Sequence, residues 1–567
     1  MSSSIARSIR RCGASWRSRG ASDSVGTITR VTTFADRIAV IDARVRDRSM
    51  TADAAIAELA AGAQVRGGPD GRRADGAFFT DDDVALHLAR RAIGAVLLEA
   101  AGADHARVDD HLAAGDDLVA LVLEAAREGR ARARIVDRLG GLVVLDPTCG
   151  AGAFLHAAWS VLVTLDDALA ATVVRASQLH GLDVDADAAR ACEVSLALAT
   201  AGRTGRASIR VADAESAGAM PAADVVLGNP PYVRAAPDER HADLATRGVP
   251  NRSAWIVERA LAAARPAARV SFVLPVSTAC TDAFGPARAS WERACSTVVT
   301  SHFDTIPATL FDGVVQRLSI FEGRRRSSVA ERAPARWFTS RYHRWLREER
   351  AGLLDRVRHV PLPTQTVSGS IAKVGDPIEA QLLERLFAHP PAGRLFAAPS
   401  AGAGRVLYKR RWSYFLLFTD FVPELWDSDG VLREPSELKS IHTADPVDAA
   451  VLLAACSSTL FWWYFSVFTD NRNVNRRDLA AFPLPELDAG SRAQLASLAG
   501  ELMVALRGCA EVRTCTYRSI GTIRNTYFRQ GATRPVIDRI DAALAEAYGM
   551  SDAELEFVLG FERRFRS

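Results

Sequence analysis

Four short motifs carry the chemistry legible in this chain of 567 residues: Asp146-Pro-Thr-Cys-Gly-Ala-Gly152, Gly181-Leu-Asp-Val-Asp185, Val211-Ala-Asp213 and Asn229-Pro-Pro-Tyr232. In the first, Gly150 and Gly152 let the backbone approach a ligand closely where a turn runs into a helix. The turn has neither the GK[ST] of a phosphate loop nor the GxGxxG of a dinucleotide fold. Asp183, ending a second strand, is placed to accept hydrogen bonds from ribose hydroxyls. Asp213, after a third, can accept from an adenine amino group. Either Asp alone also fits a helix cap or a turn. Their recurrence at successive strand ends points to a pocket for an adenosine without a phosphate chain.

Asn229-Pro-Pro-Tyr232 is the most specific of the four. Pro230 and Pro231 remove two backbone donors and fix two φ angles, which holds their neighbours rigidly. The Asn229 side-chain oxygen and a proline carbonyl can then accept from one NH2 group and steer its lone pair toward an electrophile. Tyr232 offers a flat face for a planar base or amide. A plain Pro-Pro turn would explain the residues alone, but not their place after a fourth strand, downstream of the glycine turn.

The elements that must position these residues follow from the pattern. Strands are expected at 141–145, 181–185, 208–212, 224–228 and 270–274, with helices over 186–199 and about 254–264. Strands alternating with helices at this spacing make a doubly wound, mostly parallel α/β sheet, which binds ligands at the carboxyl ends of its strands. Upstream, Thr80 with Asp83 reads as a capping-box-like helix start, and 103–140 reads as more helix. Beyond residue 325 the pattern turns irregular and Pro-jointed. The expected organisation is a helical, partly disordered extension over 1–75, a catalytic domain over 76–325 and a mixed α+β domain over 326–567.

Composition bounds the class. With 48% hydrophobic residues and a net charge of +3, the chain folds; it does not have a disordered composition. Of its 70 basic residues only Lys373, Lys409 and Lys439 are lysines. The 8 cysteines form no CxxC pair and suit no zinc site, so no metal is expected and a reducing compartment is. No signal peptide is apparent, and the location is read as cytoplasmic. The uncharged stretch 449–469 is long enough to span a membrane, but its serines and threonines and its isolation favour a buried core helix.

On these motifs and their order, the sequence resembles the gamma-class DNA adenine-N6 methyltransferases of restriction–modification and phage-defence systems. The resemblance opens at Phe78-Phe-Thr80 and takes in the four motifs. It continues through Phe272-Val-Leu-Pro-Val-Ser277 and Leu310-Phe-Asp-Gly-Val-Val-Gln-Arg317, then more weakly through 434–439, 457–461 and 470–485. It implies the class I S-adenosylmethionine-dependent methyltransferase fold and a C-terminal DNA target-recognition domain. By the same resemblance Thr80, Asp146, Pro147, Gly150, Gly152, Asp183 and Asp213 hold S-adenosyl-L-methionine. Asn229 and Pro230 bind the target amine, Pro231 completes the catalytic segment, and Tyr232 stacks on an adenine flipped out of duplex DNA. Thr148 and Ala151 stand where Ala and Ser are common in the family.

Arginines interleaved with aromatic residues fill the C-terminal part, at 324–350, 409–412, 472–477 and 513–539. Such clusters suit phosphate contacts, and equally suit solvated helix faces. Arg410, Arg411, Arg472, Asn475, Arg476 and Arg477 are the candidate DNA contacts. Double-stranded DNA is the expected partner, with a separate restriction endonuclease or defence subunit possible and no membrane. Alternative readings are a methyltransferase for rRNA guanine or protein glutamine, and a bifunctional restriction–methylation enzyme, which Asp427, Asp429 and Glu437-Leu-Lys439 faintly suggest. A non-catalytic DNA-binding subunit would have a broken Asn-Pro-Pro-Tyr or glycine turn, and both are intact.

Overall fold

The computed structural model describes residues 38–39, 41, 43–45, 50–65, 80–311, 314–328, 330–411, 416–517 and 521–565. Most of the expected 1–75 extension, the Phe78-Phe79 pair, Trp412 and Arg518 lie outside the described residues.

Nine strands form the central sheet: β1 (Val144–Asp146), β2 (Leu179–Asp183), β3 (Ser208–Val211), β4 (Ala223–Gly228), β5 (Ala264–Pro275), β6 (Cys295–Phe303), β7 (Leu318–Arg325), β8 (Arg336–His343) and β9 (His359–Pro361). Their order is β3-β2-β1-β4-β5-β7-β6-β8-β9. The strands from β3 to β5 pair in parallel, and β7 runs antiparallel between β5 and β6. Side chains alternate between two cores. Val144, Val225, Leu227 and Val273 enter one, while Leu145, Val226, Phe272 and Leu274 enter the other. Both faces are therefore covered, as a sheet of continuous apolar strands requires.

The sheet does not stop at residue 325 as the pattern suggested. β8 pairs in parallel with β6, and β9 pairs antiparallel with β8, which carries the sheet to Pro361. β8 reads as a basic–aromatic segment because its polar side chains are buried by hydrogen bonding. The Thr339 hydroxyl lies 3.3 Å from His302 Nε2, and the Ser340 hydroxyl accepts from the His302 amide at 3.2 Å.

The helix Asp82–Ala101 lies against the sheet and is buried along most of its length. Arg91 on it donates to Glu322 of β7 at 2.8 and 2.9 Å, and Glu99 accepts from Arg269 of β5 and Arg324 of β7. The expected capping box is absent: Asp81 is the N-cap, without a side-chain cap bond. The 103–140 region is three helices, His105–Ala114, Leu118–Ala125 and Gly129–Gly141, and the last of these delays β1 to Val144.

The C-terminal part has its own core. One four-stranded sheet there is built of β10 (Phe396–Ala397), β11 (Gly404–Lys409), β12 (Phe418–Thr419) and β15 (Leu438–Thr443). Another is built of β13 (Leu425–Trp426), β14 (Leu432–Arg433), β16 (Ala510–Tyr517) and β17 (Gly521–Phe528). The uncharged stretch is not one helix but two, Pro446–Ser457 and Thr459–Phe468, bent by 68°. The break lies at Ser458, whose hydroxyl accepts from the Phe461 amide at 2.9 Å and so caps the second helix. Among the described residues no single helix is long and apolar enough to cross a membrane, and this bent pair is buried in the C-terminal core.

Candidate active site

At the carboxyl ends of β1 and β2, the glycine turn is tied to its neighbour by the backbone. Thr148 donates to Asp146 Oδ1 at 3.0 Å, Cys149 to the Leu182 carbonyl at 2.8 Å, and Gly150 to Asp183 Oδ2 at 2.9 Å. Gly152, at φ +96°, then starts the helix Ala153–Ala168. Pro147 is buried against Gly228 at the end of β4, so it spaces the β1 turn from the Asn-Pro-Pro-Tyr segment. Asp183 also accepts from the Asp185 amide at 2.8 Å, which turns its carboxylate toward the turn and away from the β2 axis.

Electrostatics set Asp146 and Asp183 apart from surface carboxylates. Burial, with the nearby Asp183 adding to it, pushes the Asp146 carboxyl up to about 8 against the Thr148 amide, which works the other way. Burial raises Asp183 as well, opposed by the amides of Asp185 and Gly150. The space above Gly150 is open: no atom lies within 4 Å of where a Cβ would stand. Val184, the residue after Asp183, is 66% exposed. An open glycine turn and an acid with lone pairs to spare fit a nucleoside-bearing cofactor.

Asp213 is placed differently from the expectation. It follows β3, but its carboxylate is paired with Arg240, which the carboxylate of Asp238 also holds at 2.7 Å. The loop after Tyr232 therefore reaches back over the end of β3. Beneath it Glu215, almost wholly buried, bonds His241 Nε2 at 3.0 Å and pairs with Arg252. Sequence reasoning missed Arg240, Glu215 and His241, since nothing in the periodicity of 233–252 marks a polar cluster.

At the end of β4, Asn229 Nδ2 donates to the Thr80 hydroxyl at 3.2 Å, and the Tyr232 hydroxyl donates to Asn229 Oδ1. The same Tyr232 hydroxyl lies 3.2 Å from the Val273 carbonyl of β5. Pro230 is buried and Pro231 half-buried, so the segment is clamped between β4 and β5. Burial raises the Tyr232 hydroxyl well above its ordinary range, so it stays a neutral donor.

Five of the six candidate DNA contacts are exposed, on two segments joined by the backbone. Val474 donates to the Arg410 carbonyl at 2.8 Å, and Arg411 bridges to Asn473, which joins 410–411 to 472–477. Arg410, Arg411 and Arg472 are exposed, with no acidic partner among the described residues. Arg476 lies over the Phe396 ring at 5.0 Å. Asn475 is turned inward, its amide donating to Asp478 at 3.0 Å, and Arg477 is paired with Asp282. Asp282 follows the short helix Ser277–Cys280 after β5, so this surface adjoins the carboxyl end of β5.

The 324–350 cluster is not a free basic track. Arg324 pairs with Glu99, Arg336 with Asp110, Arg341 with Glu379, Arg344 with Asp304 and Glu562, and Arg350 with Asp83. Among the described residues no three His, Cys, Asp or Glu side chains gather as a metal site.

Residues 130–278 match the family model described as N-6 DNA Methylase. No curated protein matches the chain. Among solved structures, the chain is similar to the type IIL restriction-modification enzyme MmeI in complex with DNA, at 12% identity and a TM-score of 0.49, over 88% of this chain and 80% of that one. It is similar to the DrdV–DNA complex at 10% identity and a TM-score of 0.42, over 94% and 73%. With a modification subunit of a putative type I restriction enzyme from Vibrio vulnificus YJ016 it shares 15% identity and a TM-score of 0.30, over 41% of this chain and 55% of that one. The segment carrying the four motifs, 146–232, thus lies wholly within the match to an adenine-N6 DNA methylase.

Proposed function

We propose that this chain transfers a methyl group from S-adenosyl-L-methionine to the N6 amino group of adenine in duplex DNA, taking the base flipped out of the helix into the pocket at Asn229–Tyr232. The observation that carries this reading is Asn229 at the end of β4, its amide held beside Thr80 and its segment spaced by Pro147 from the open glycine turn. Asp146, Gly150, Gly152 and Asp183 hold the cofactor, with Asp183 on the ribose. S-adenosylmethionine supplies the electrophilic methyl group when bound. Asn229 Oδ1 and the Pro230 carbonyl accept the two N–H bonds of the target amine, which turns its lone pair toward the cofactor side. The amine needs no prior deprotonation, because positioning and the two acceptors stabilise the positive charge that develops on nitrogen. Pro231 keeps the segment rigid, and the Tyr232 ring stacks on the base.

The region after the central sheet, within 326–567, reads the target site. Arg410, Arg411 and Arg472 contact phosphates, and the neighbouring side chains of 472–477 reach base edges. Expressing the chain in a host that lacks adenine methylation, followed by methylation-sensitive long-read sequencing, tests the proposal. N6-methyladenine at one recurrent sequence is expected, and its loss in Asn229→Ala. Unmodified host DNA, with methyl label instead on rRNA or protein, overturns it.

A further inference from the structure

Thr80 and Asn229 are 149 residues apart in the chain, yet their side chains meet at 3.2 Å. The family resemblance assigns Thr80 to the cofactor; its geometry assigns it a different partner. We infer that Thr80 is a positioning residue for methyl transfer, one that fixes which way the Asn229 amide faces. This inference rests on the proposed adenine methylation.

The chemistry is that of an asymmetric group. One side of the Asn229 amide is an acceptor and the other a donor, and the target amine must meet the acceptor. Rotating the amide by half a turn about its last bond would present NH2 to NH2, leaving the Pro230 carbonyl as the single acceptor to steer the lone pair. The Thr80 hydroxyl accepts from Nδ2 and the Tyr232 hydroxyl donates to Oδ1, so the donor half of the amide stands on the Thr80 side and Oδ1 faces Tyr232.

Tyr232 completes the arrangement. Its hydroxyl has one proton and two acceptors within reach, Asn229 Oδ1 and the Val273 carbonyl at 3.2 Å. When an amine approaches, that proton turns to Val273, and Oδ1 is released without leaving a buried donor unsatisfied. Thr80 holds the amide through this exchange. The helix Asp82–Ala101 begins directly after it and is fixed to the sheet through Arg91 and Glu99, so the hydroxyl stands on a rigid support.

The test compares the wild-type full-length chain with Thr80→Val and Thr80→Ser on duplex DNA containing the mapped site. It measures single-turnover methylation rate, KM for DNA, and S-adenosylmethionine affinity by calorimetry. Removing one orienting hydrogen bond predicts a fall in rate for Thr80→Val of roughly 5–10-fold. Cofactor affinity and KM should stay within about twofold, and Thr80→Ser should recover most of the rate. Cofactor affinity falling in step with the rate would make Thr80 a cofactor ligand and overturn the inference, as would a Thr80→Val rate equal to wild type. Thermal unfolding of each variant identifies a loss that comes from misfolding, and Thr80→Ser then decides alone. A wild-type chain that methylates no adenine refutes the proposed function itself, a result separate from any difference between variants.

Discussion

The two glycines of the β1 turn should fail in opposite ways when replaced by alanine, because their surroundings differ. Gly152 stands at φ +96°, and a Cβ there would lie 2.8 Å from Cys192 Sγ and 3.5 Å from the His156 ring. Cys192 is wholly buried in the helix Ala186–Ala199 and has nowhere to withdraw. Left-handed backbone costs a non-glycine residue about 1–2 kcal/mol, and forced overpacking about 1–3 kcal/mol. Gly152→Ala should therefore lose about 2–5 kcal/mol of stability, a fall in Tm on the order of 10 °C for a unit of this size. Gly150 stands at φ +50° with nothing within 4 Å of its would-be Cβ. Gly150→Ala carries only the backbone strain, about 1–2 kcal/mol and a few degrees of Tm. Its Cβ would instead project into the space assigned to the cofactor, and S-adenosylmethionine affinity should drop at least about tenfold, or ~1.4 kcal/mol. Differential scanning calorimetry and titration calorimetry on both variants separate the two effects. Cys192→Ala combined with Gly152→Ala should recover part of the lost Tm by removing the clashing sulfur. Equal Tm losses in the two single variants, or wild-type cofactor affinity in Gly150→Ala, would refute this account of the turn.

Asn229→Ala should abolish methyl transfer while leaving S-adenosylmethionine affinity near wild type; calorimetry showing both collapse together would remove Asn229 from the amine site. Tyr232→Phe keeps the ring and should retain much activity, whereas Tyr232→Ala should lose most of it, and a 2-aminopurine at the target should brighten on binding if the base is extruded. Burial holds Asp146 at about 8 from an ordinary 3.8, so the folded chain keeps a proton that the unfolded chain has lost between those values. This group therefore disfavours folding progressively as pH rises across that window, and Asp146→Asn should flatten the decline in stability from pH 4 to 8. A cationic cofactor lowers the same pKa, so binding at pH 7 should release up to about one proton, read as a dependence of binding enthalpy on the buffer; no such dependence would place the cofactor's charge elsewhere. Replacing Arg410, Arg411 and Arg472 together with Ala should reduce the slope of log affinity for DNA against log salt by roughly 0.9 for each phosphate no longer neutralised, while Arg477→Ala, which breaks the pair with Asp282, should leave that slope nearly unchanged.

Legibility in the sequence followed how local each feature is. β1, β4 and β5 announce themselves because strands covered on both faces are apolar runs, while β2, Leu179–Asp183, is marked only by the Gly-Leu-Asp-Val-Asp motif that places it two residues late. β8 carries Arg336, Trp337, Arg341 and Tyr342, and its burial depends on His302, 37–38 residues upstream, and on acids elsewhere in the chain. The two buried helices of 446–468 read as one because Ser458 breaks them with its own side chain, without a Pro or Gly. In the site, Asp183 and Gly150 are legible as a pair of strand-end features. The contacts Thr80–Asn229 and Arg240–Asp213 join segments that share no periodicity.

Charge shows the same division, and it decides where DNA contact is to be sought. In an arginine-rich chain with nearly balanced acids, an arginine cluster becomes a phosphate site only where the fold supplies no carboxylate to it. The 324–350 segment has the densest arginines in the sequence, and Glu99, Asp110, Asp304, Glu379 and Asp83 are folded onto it. Arg513 and Arg529 share Glu511, and Arg539 meets Glu501. Such pairs lock helices and strands together and offer little net potential to a polyanion. Arg410, Arg411 and Arg472 are left exposed on two segments joined through Val474 and Asn473, and Asp282, after β5, pairs with Arg477. Through Arg477 and Asp282, which follows the short helix after β5, this surface reaches the carboxyl end of β5, the strand that pairs with β4 and its Asn229.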